Sequence, residues 1–408
     1  MGLPQLTLRK DLLTMPTFNL ADEILSKELK FIASKAFRTG YLWDVEKIRN
    51  PFEVCPKCAS KASVRCGKVS VVVREAGIRE KPLWLRILKH RYYCKTCRKP
   101  FTESVDCVWP RRRTTHYFRK QVAKDCDFYT NLDLVRSHHA CSSGFIYKVH
   151  YDQIKTKLRE RTGIAWPQVL GVDEHFFSRR KGFTEFATVF CDLKKRRLFE
   201  MCLGKDKKSI LEQVKFIPGR ENVKVVVIDL SNGYLSVVKE LFPNAQIIAD
   251  KFHALRLMTP ALLKLRKDIH GHRQDLQTRR LLLKNREDLD YFVRSDVDRY
   301  LKKYPKLNEL YRIKERLREF YRCRGTIKAR INLERLIEEM KVSVQEPVQR
   351  LRRTLMKWKD QLINYFENRW TNGFTEATNG NAKALQKRAR GFKNFVNYRL
   401  KTLNACFF

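Results

Sequence analysis

Val169-Leu-Gly-Val-Asp-Glu174 is a short apolar run that ends on a carboxylate. Leu170 and Val172, flanked by Val169 and Gly171, read as a buried strand, with Asp173 where that strand surfaces. The pattern returns at Lys224-Val-Val-Val-Ile-Asp-Leu230, a β-branched run leading to Asp229. Such a run fits the middle of a sheet covered on both faces. Two carboxylates at the ends of two central strands oppose each other's ionisation unless a cation joins them. A pair of divalent metals, as in nucleases and polymerases, is the usual solution. One isolated aspartate of this kind would more simply cap the helix after it. Two of them in a basic chain point to catalysis.

The basic character is strong. The chain has 408 residues and a net charge of +41, from 85 Lys+Arg against 44 Asp+Glu. Its length predicts about two to four domains. The cations are spread over every segment, and a field of this sign fits a polyanion, nucleic acid first. Hydrophobic content of 43% and aromatic content of 11% support packed cores and exclude a disordered chain. No run approaches the roughly 18 apolar residues of a membrane span. Residues 1–10 lack the apolar core of a signal peptide. The 12 Cys, with no export signal, argue for a reducing compartment in which some thiols are metal ligands.

Residues 1–50 read as a lead-in, with Leu20–Leu29 a weakly amphipathic helix. Cys55-Pro-Lys-Cys58 and Cys94-Lys-Thr-Cys97 present four thiolates that close a structural, tetrahedral zinc site. The strand-like runs between them, Lys68–Arg74 and Leu83–Leu88, predict a zinc ribbon over residues 51–105. Cys66 has no sequence partner and reads as a buried thiol. A basic linker, Pro110–Thr115, then leads into three expected helices. These are Phe118–Cys126, Asn131–His138, and one capped by Ser142 or Ser143 that runs to about Leu158. The text looks like a helix-turn-helix over 111–160, whose third helix would offer Ser143, Tyr147, Lys148, Tyr151 and Lys155 to the major groove. An ordinary three-helix unit is the alternative, and the neighbouring ribbon and charge favour DNA. His138 and His139 read as structural or solvent-facing.

From Trp166 the text turns to strands. Phe183–Asp192 and Arg196–Leu203 read as antiparallel partners after the Asp173 strand. A helix over Ser209–Phe216, the Asp229 strand, a helix over Tyr234–Leu241 and a strand over Ala245–Asp250 follow. That order is the ribonuclease H-like one, expected over 166–253. Residues 254–366 read as long amphipathic helices interrupting this domain, and 367–408 as its return. In Thr371–Ala389, Glu376, Asn379 and Lys383 are spaced to share one helix face. A carboxylate, an amide and a cation there suit a metal ligand beside phosphate contacts, although a first-turn Glu is also what the helix dipole favours. The expected class is α+β, multidomain.

These motifs together resemble the ISL3 family of bacterial insertion-sequence DDE transposases, over roughly residues 51–405. The most specific pieces are Gly171-Val-Asp-Glu174, Asp229-Leu-Ser-Asn-Gly-Tyr234 with Phe242-Pro-Asn-Ala245, Asp250-Lys-Phe-His253, and the Glu376 helix followed by Arg390-Gly-Phe-Lys-Asn-Phe395. The resemblance implies a catalytic triad of Asp173, Asp229 and Glu376, with Glu174, Asp250, His253, Asn379 and Lys383 accessory to it. It implies two magnesium or manganese ions at the triad and a structural zinc at Cys55, Cys58, Cys94 and Cys97. It implies nicking of DNA at inverted-repeat ends and joining of the freed 3′-hydroxyl to target DNA. The implied partners are element ends, target DNA and further copies of the chain, as a homodimer or higher oligomer on DNA. No membrane is involved, and the implied setting is the bacterial cytoplasm at the nucleoid. The family commonly has Gly where Ala377 stands. A nuclease or junction resolvase would use the same acids without joining. A DNA-binding regulator with an inactive catalytic domain would be expected to have lost one acid, and all three are present.

Overall fold

A computed structural model describes residues 24–48, 53–129, 131–159, 163–180, 183–270 and 276–406. Contacts along the chain gather into two units, Met1–Gln153 and Ile154–Phe408.

The first unit is built on alternation. Strands β1 (Leu29–Phe37), β2 (Gly40–Lys47), β3 (Ser63–Ile78), β4 (Lys81–Cys94) and β5 (Pro100–Thr102) form one sheet in the order β1-β2-β4-β3, with β5 on β4. Only the β2–β4 pair is parallel. Every second residue of β2 and β4 turns inward, so Trp43, Val45, Leu83, Leu85 and Ile87 pack with Leu25, Leu29 and Val105. This corrects the expected lead-in. Of the helix read over Leu20–Leu29, residues 20–23 lie outside the described residues, Ile24 is helical, residues 25–28 are irregular with a turn at Lys27 and Glu28, and Leu29 opens a strand. The period-two text of Tyr41, Trp43 and Val45 and the pairing it allows outweigh a weak helical pattern. Cys66 is exposed, not buried, because it falls at the bulge between Arg65 and Gly67, in a stretch of β3 (residues 64–68) that is exposed on both faces.

Three helices complete this unit: α1 (His116–Phe128), α2 (Leu132–His139) and α3 (Ser143–Arg159), the last running past the unit boundary. Thr115 caps α1 by accepting from the Phe118 amide, and Asn131 caps α2 by accepting from Leu134. Ala140 ends α2 in the left-handed region, and Ser142 Oγ accepts the Phe145 amide at the start of α3. The helices close on Phe118, Val122, Cys126, Val135, Ile146 and Val149. Arg74 of β3 ties them to the sheet. It donates to the His139 carbonyl at 3.1 Å and lies over the rings of Trp84 and Phe118.

The second unit holds β6 (Val169–Arg180), β7 (Phe183–Asp192), β8 (Arg197–Leu203), β9 (Val225–Ile228) and β10 (Gln246–Ala249), in sheet order β10-β9-β6-β7-β8. The β6–β7 and β7–β8 pairs are antiparallel, while β6–β9 and β9–β10 are parallel. All of β9 is buried, each side chain contributing about 1.5–3 kcal/mol relative to exposure. Helix α4 (Lys207–Val214) precedes β9, and α5 (Asn232–Leu241) crosses from β9 to β10. The next stretch is helical among the described residues: α6 (Lys251–Arg256), α7 (Thr259–His270), α8 (Leu276–Leu283), α9 (Tyr291–Lys303), α10 (Pro305–Arg322), α11 (Thr326–Glu339), α12 (Glu346–Lys357) and α13 (Lys359–Asn368). Leu307, Leu310, Leu317 and Phe320 show how α10 buries one helical stripe in the core. Helices α14 (Gly373–Arg388) and α15 (Phe395–Cys406) then return to pack on the sheet. The chain is thus mixed α and β, in more than one unit. Among the described residues no helix is long and apolar enough to cross a membrane.

Candidate active site

Register sets the site. Val169, Leu170 and Gly171 of β6 pair with Val225, Val226 and Val227 of β9, so the same offset carried two residues on matches Asp173 with Asp229. Residues 225–228 pair with 246–249 of β10, so the next match is Asp229 with Asp250. Three aspartates therefore lie side by side: Asp229 and Asp250 just past the ends of β9 and β10, and Asp173 inside β6. That strand does not end there as the sequence suggested but runs on to Arg180, paired with β7 after its pairing with β9 stops.

Helix α14 supplies the third acid of the expected triad by an unusually close approach. A Cβ on Gly171 would stand 2.2 Å from Thr375 Oγ1 and 2.5 Å from Asn372 Oδ1, so only glycine lets the helix start so near β6. Asn372 is fully buried and locks that start. Its side-chain amide donates to the Val172 carbonyl at 2.8 Å, and its backbone amide donates to Asp250 Oδ1 at 2.8 Å. One turn on, Glu376, Asn379 and Lys383 line an open cleft of about 460 Å³ together with Asp173, Glu174, Asp229 and His253. Ala377 faces solvent on this helix, where Ala is the better helix former than Gly.

Each of the three acids has its own neighbour. Asp173 Oδ2 accepts from Asn379 Nδ2 at 2.8 Å, and its Oδ1 accepts from the Glu174 amide at 2.8 Å. Asp229 Oδ1 lies 2.9 Å from His253 Nδ1. Glu376 Oε1 lies 3.4 Å from the Arg256 guanidinium. Burial and then the charge of Asp229 push the Asp173 carboxyl up to about 6. Asp229 and then Asp250 pull the His253 imidazole up to about 10.

Asp250 differs from the other two aspartates. It is fully buried and caps α6 by accepting from the Phe252 and His253 amides at 3.0 and 3.1 Å. Burial raises its pKa, but the hydrogen bonds from His253 and Asn372 outweigh that and hold it below the usual range. Its oxygens are spent on positioning β10, α6 and α14.

The sequence pattern did not single out His175, Tyr398 or Asn372. His175 is buried, with Nδ1 2.8 Å from Asn379 Oδ1 and Nε2 2.7 Å from the Tyr398 hydroxyl. Because Asn379 gives its amino group to Asp173, Nδ1 of His175 donates and Nε2 accepts from Tyr398. Burial holds this imidazole at about 4, which keeps it neutral as that pattern needs. A chain from Tyr398 through His175 and Asn379 thus orients Asp173.

In the first unit the Sγ atoms of Cys55, Cys58, Cys94 and Cys97 all lie within 4.8 Å of one another. The Cys55–Cys97 and Cys58–Cys94 separations are 3.7 and 3.5 Å. A tetrahedral zinc with bonds of about 2.3 Å requires sulfurs about 3.8 Å apart, so the set fits. Backbone amides, that of Cys97 first, draw the Cys94 thiol down to about 6, whereas burial and the neighbouring sulfurs push Cys97 up to about 12, so the four sulfurs share a proton-or-cation requirement.

On α3, Ser143, Tyr147, Lys148 and Lys155 are exposed. Tyr151 is not: it is 9% exposed and stacks on Tyr147, and burial lifts its hydroxyl to about 12. The expected reading face loses that ring because position 151 stands three residues before buried Ile154, at the edge of the buried stripe, so that Tyr147 one turn earlier stays exposed while Tyr151 does not. His139 is buried with Nε2 2.7 Å from Asp125 Oδ2, and His138 is exposed.

Similarity to known proteins agrees with this site. The transposase for insertion sequence element IS1001 of Bordetella parapertussis is 22% identical over 370 residues, 85% of this chain and 87% of that protein. Residues 170–402 match a family of DDE transposases of the ISL3 type, described as Transposase. That match spans more than half of the sequence and contains Asp173, Asp229 and Glu376, so the chain belongs to the ISL3 family of DDE transposases.

Proposed function

We propose that this transposase cuts DNA at the inverted-repeat ends of an insertion sequence and joins the freed ends to target DNA, at a site built from Asp173, Asp229 and Glu376. The observation that carries the reading is the register match of Asp173 with Asp229, together with the raised carboxyl of Asp173. Two acids at one level with too little positive charge make a cation site. Carboxylate oxygens are the donors that magnesium and manganese prefer, so the residues present fit those ions. Two such ions, when bound, activate the attacking oxygen and stabilise the leaving one. The chain's own part is to hold and aim. Asn379 fixes one oxygen of Asp173, His175 fixes Asn379, and His253 holds Asp229. Lys383 and Arg256 line the same cleft and attract the phosphate of the reacting strand.

The sheet order, three antiparallel strands followed by two parallel ones, supports a ribonuclease H-like core interrupted by the helices of 254–366. The four-cysteine set supports a structural zinc ribbon, and the exposed residues of α3 after the turn at Ala140 support a helix-turn-helix that reads DNA. On this reading the strands before residue 51 belong with the ribbon's sheet, the helix-turn-helix covers 111–160, the catalytic core 166–253 and 367–408, and the helical insertion 254–366.

Asp229→Asn tests the reading. The substitution keeps shape and removes one ligating charge, so DNA binding should persist. Cleavage and joining in magnesium or manganese should fall by orders of magnitude. Wild-type joining by that variant, with binding confirmed, overturns the metal-triad assignment.

A further inference from the structure

A second cavity, about 620 Å³, opens among the helices of the insertion and is lined by Lys251, Tyr321, Arg322, Arg324, Gly325 and Arg369. Four of those six side chains are cations and none is an acid. The cations come from three places in the chain: the first turn of α6, the junction of α10 with α11, and the left-handed residue after α13. Arg322 shares Glu287 with Arg318, and Arg369 donates to the Cys323 carbonyl at 2.8 Å. Burial, and then repulsion from Arg369, Arg318 and Arg322, hold the Lys251 ammonium below the usual lysine range. The pocket is short of negative charge.

Two further features point the same way. Tyr321 is 2% exposed, and its hydroxyl is buried with no hydrogen-bond partner among the described residues. A buried unpaired hydroxyl is costly, and a ligand that accepts from it removes the cost. Gly325, at φ +82, opens α11 with no side chain capping its first amides. Left-handed backbone there suits glycine and leaves the helix's positive end facing the cavity rim. Guanidinium forks, an ammonium, a free hydroxyl donor and uncapped amides form a donor set for one tetrahedral anion.

We infer that this pocket holds a backbone phosphate of the DNA on which the transposase acts, as a binding site separate from the carboxylate cleft. The inference rests on the DNA reading above. The polyanion fits better than a free anion because the cations continue outward on exposed Arg324 and Arg322, leaving the pocket open to a strand. Its link to chemistry is through the backbone. Lys251 follows Asp250, and Arg369 stands three residues before Asn372, whose amide Asp250 accepts. A phosphate gripped here would steady the parts of the chain that seat α14 and Glu376.

The test uses the full-length protein and a fluorescent random-sequence duplex, with anisotropy read across a salt series in a metal chelator. Lys251→Gln and Arg324→Gln should each lower the slope of log affinity against log salt by about one. Tyr321→Phe should leave thermal melting without DNA unchanged or higher, leave the slope unchanged, and weaken binding about tenfold. That last result separates a built site from diffuse surface charge, since the variant alters no charge. Unchanged affinity and slope in all three variants overturn the inference. Thermal stabilisation by inorganic phosphate at constant ionic strength, lost in Lys251→Gln while duplex binding stays unchanged, assigns the pocket to a free anion and overturns the DNA ligand. Binding is read without metal, so failure here leaves the Asp229→Asn test of the carboxylate cleft standing on its own.

Discussion

At Asp173, burial and the neighbouring Asp229 act in the same direction and lift the carboxyl to about 6. In an unfolded chain the same group titrates near 3.9. Its contribution to stability is therefore complete below about pH 4 and is lost as pH rises through about 6. A divalent cation at the site should remove that loss, and a proton should compete with it. Manganese should raise the melting temperature of the full-length protein by about 3–5 °C near pH 8 and by much less near pH 5. Differential scanning fluorimetry with and without chelator reads this directly. A manganese shift of equal size at both pH values would sink the assignment of the cation to Asp173. Asp250 is the instructive contrast. It carries the same side chain two strands away, but every hydrogen bond it accepts serves to hold backbone or His253 in place.

At the scale of elements, the close contact of β6 with α14 carries the most consequence for function. Gly171→Ala would drive a methyl group into Thr375, Asn372 and Leu193. Overpacking of this kind costs about 1–3 kcal/mol, and here it also moves the helix that bears Glu376 and Asn379. Urea unfolding should show that loss, and strand cleavage should fall further than stability alone explains. Thr375→Ala in the same background should recover part of both; no recovery would mean that the contact is not the cause. The cysteine set makes a second prediction. One zinc per chain should be found by elemental analysis, and stripping it should speed amide exchange at the end of β4 and in β5, where Cys94 and Cys97 anchor the chain. A zinc-free protein with unchanged exchange would refute it. These elements differ in how far they could be read from sequence. The strand that carries Asp173, though not its run on to Arg180, the strand leading to Asp229, the helix starts near Asn131 and Ser142, and the helical stretch after Ala254 follow from local text: β-branched runs, capping side chains, helical periodicity. The β1–β2 hairpin escaped although Tyr41, Trp43 and Val45 alternate, because one short alternating run is a weak signal and the pairing with β4 that completes the sheet lies far along the chain. The same holds for His175 and Tyr398, separated by 223 positions, and for the cationic pocket, whose side chains meet only after the helices pack. Tyr151 was misread because the helix was recognised without fixing which of its faces turns inward.

Over the whole molecule, a net charge of +41 must express itself as affinity for DNA whatever the sequence of that DNA. Discrimination needs side chains aimed at base edges, and the exposed residues of α3 in the first unit are the best placed for it. In the second unit the cations line a cleft and a pocket, both proposed above to take phosphate, a group that carries no sequence information. The two roles should therefore separate on deletion. A protein lacking residues 1–160 loses the cysteine set and α3 but keeps the sheet and its acids. Thermal melting first establishes that this protein is folded. It should then bind a duplex bearing the element's end and a random duplex equally well, with a steep loss of affinity as salt rises. The intact chain should prefer the end by about a hundredfold or more at the same salt. If the truncated protein melts cooperatively and still prefers the end sequence, base recognition lies in the second unit, and the role proposed for α3 is wrong.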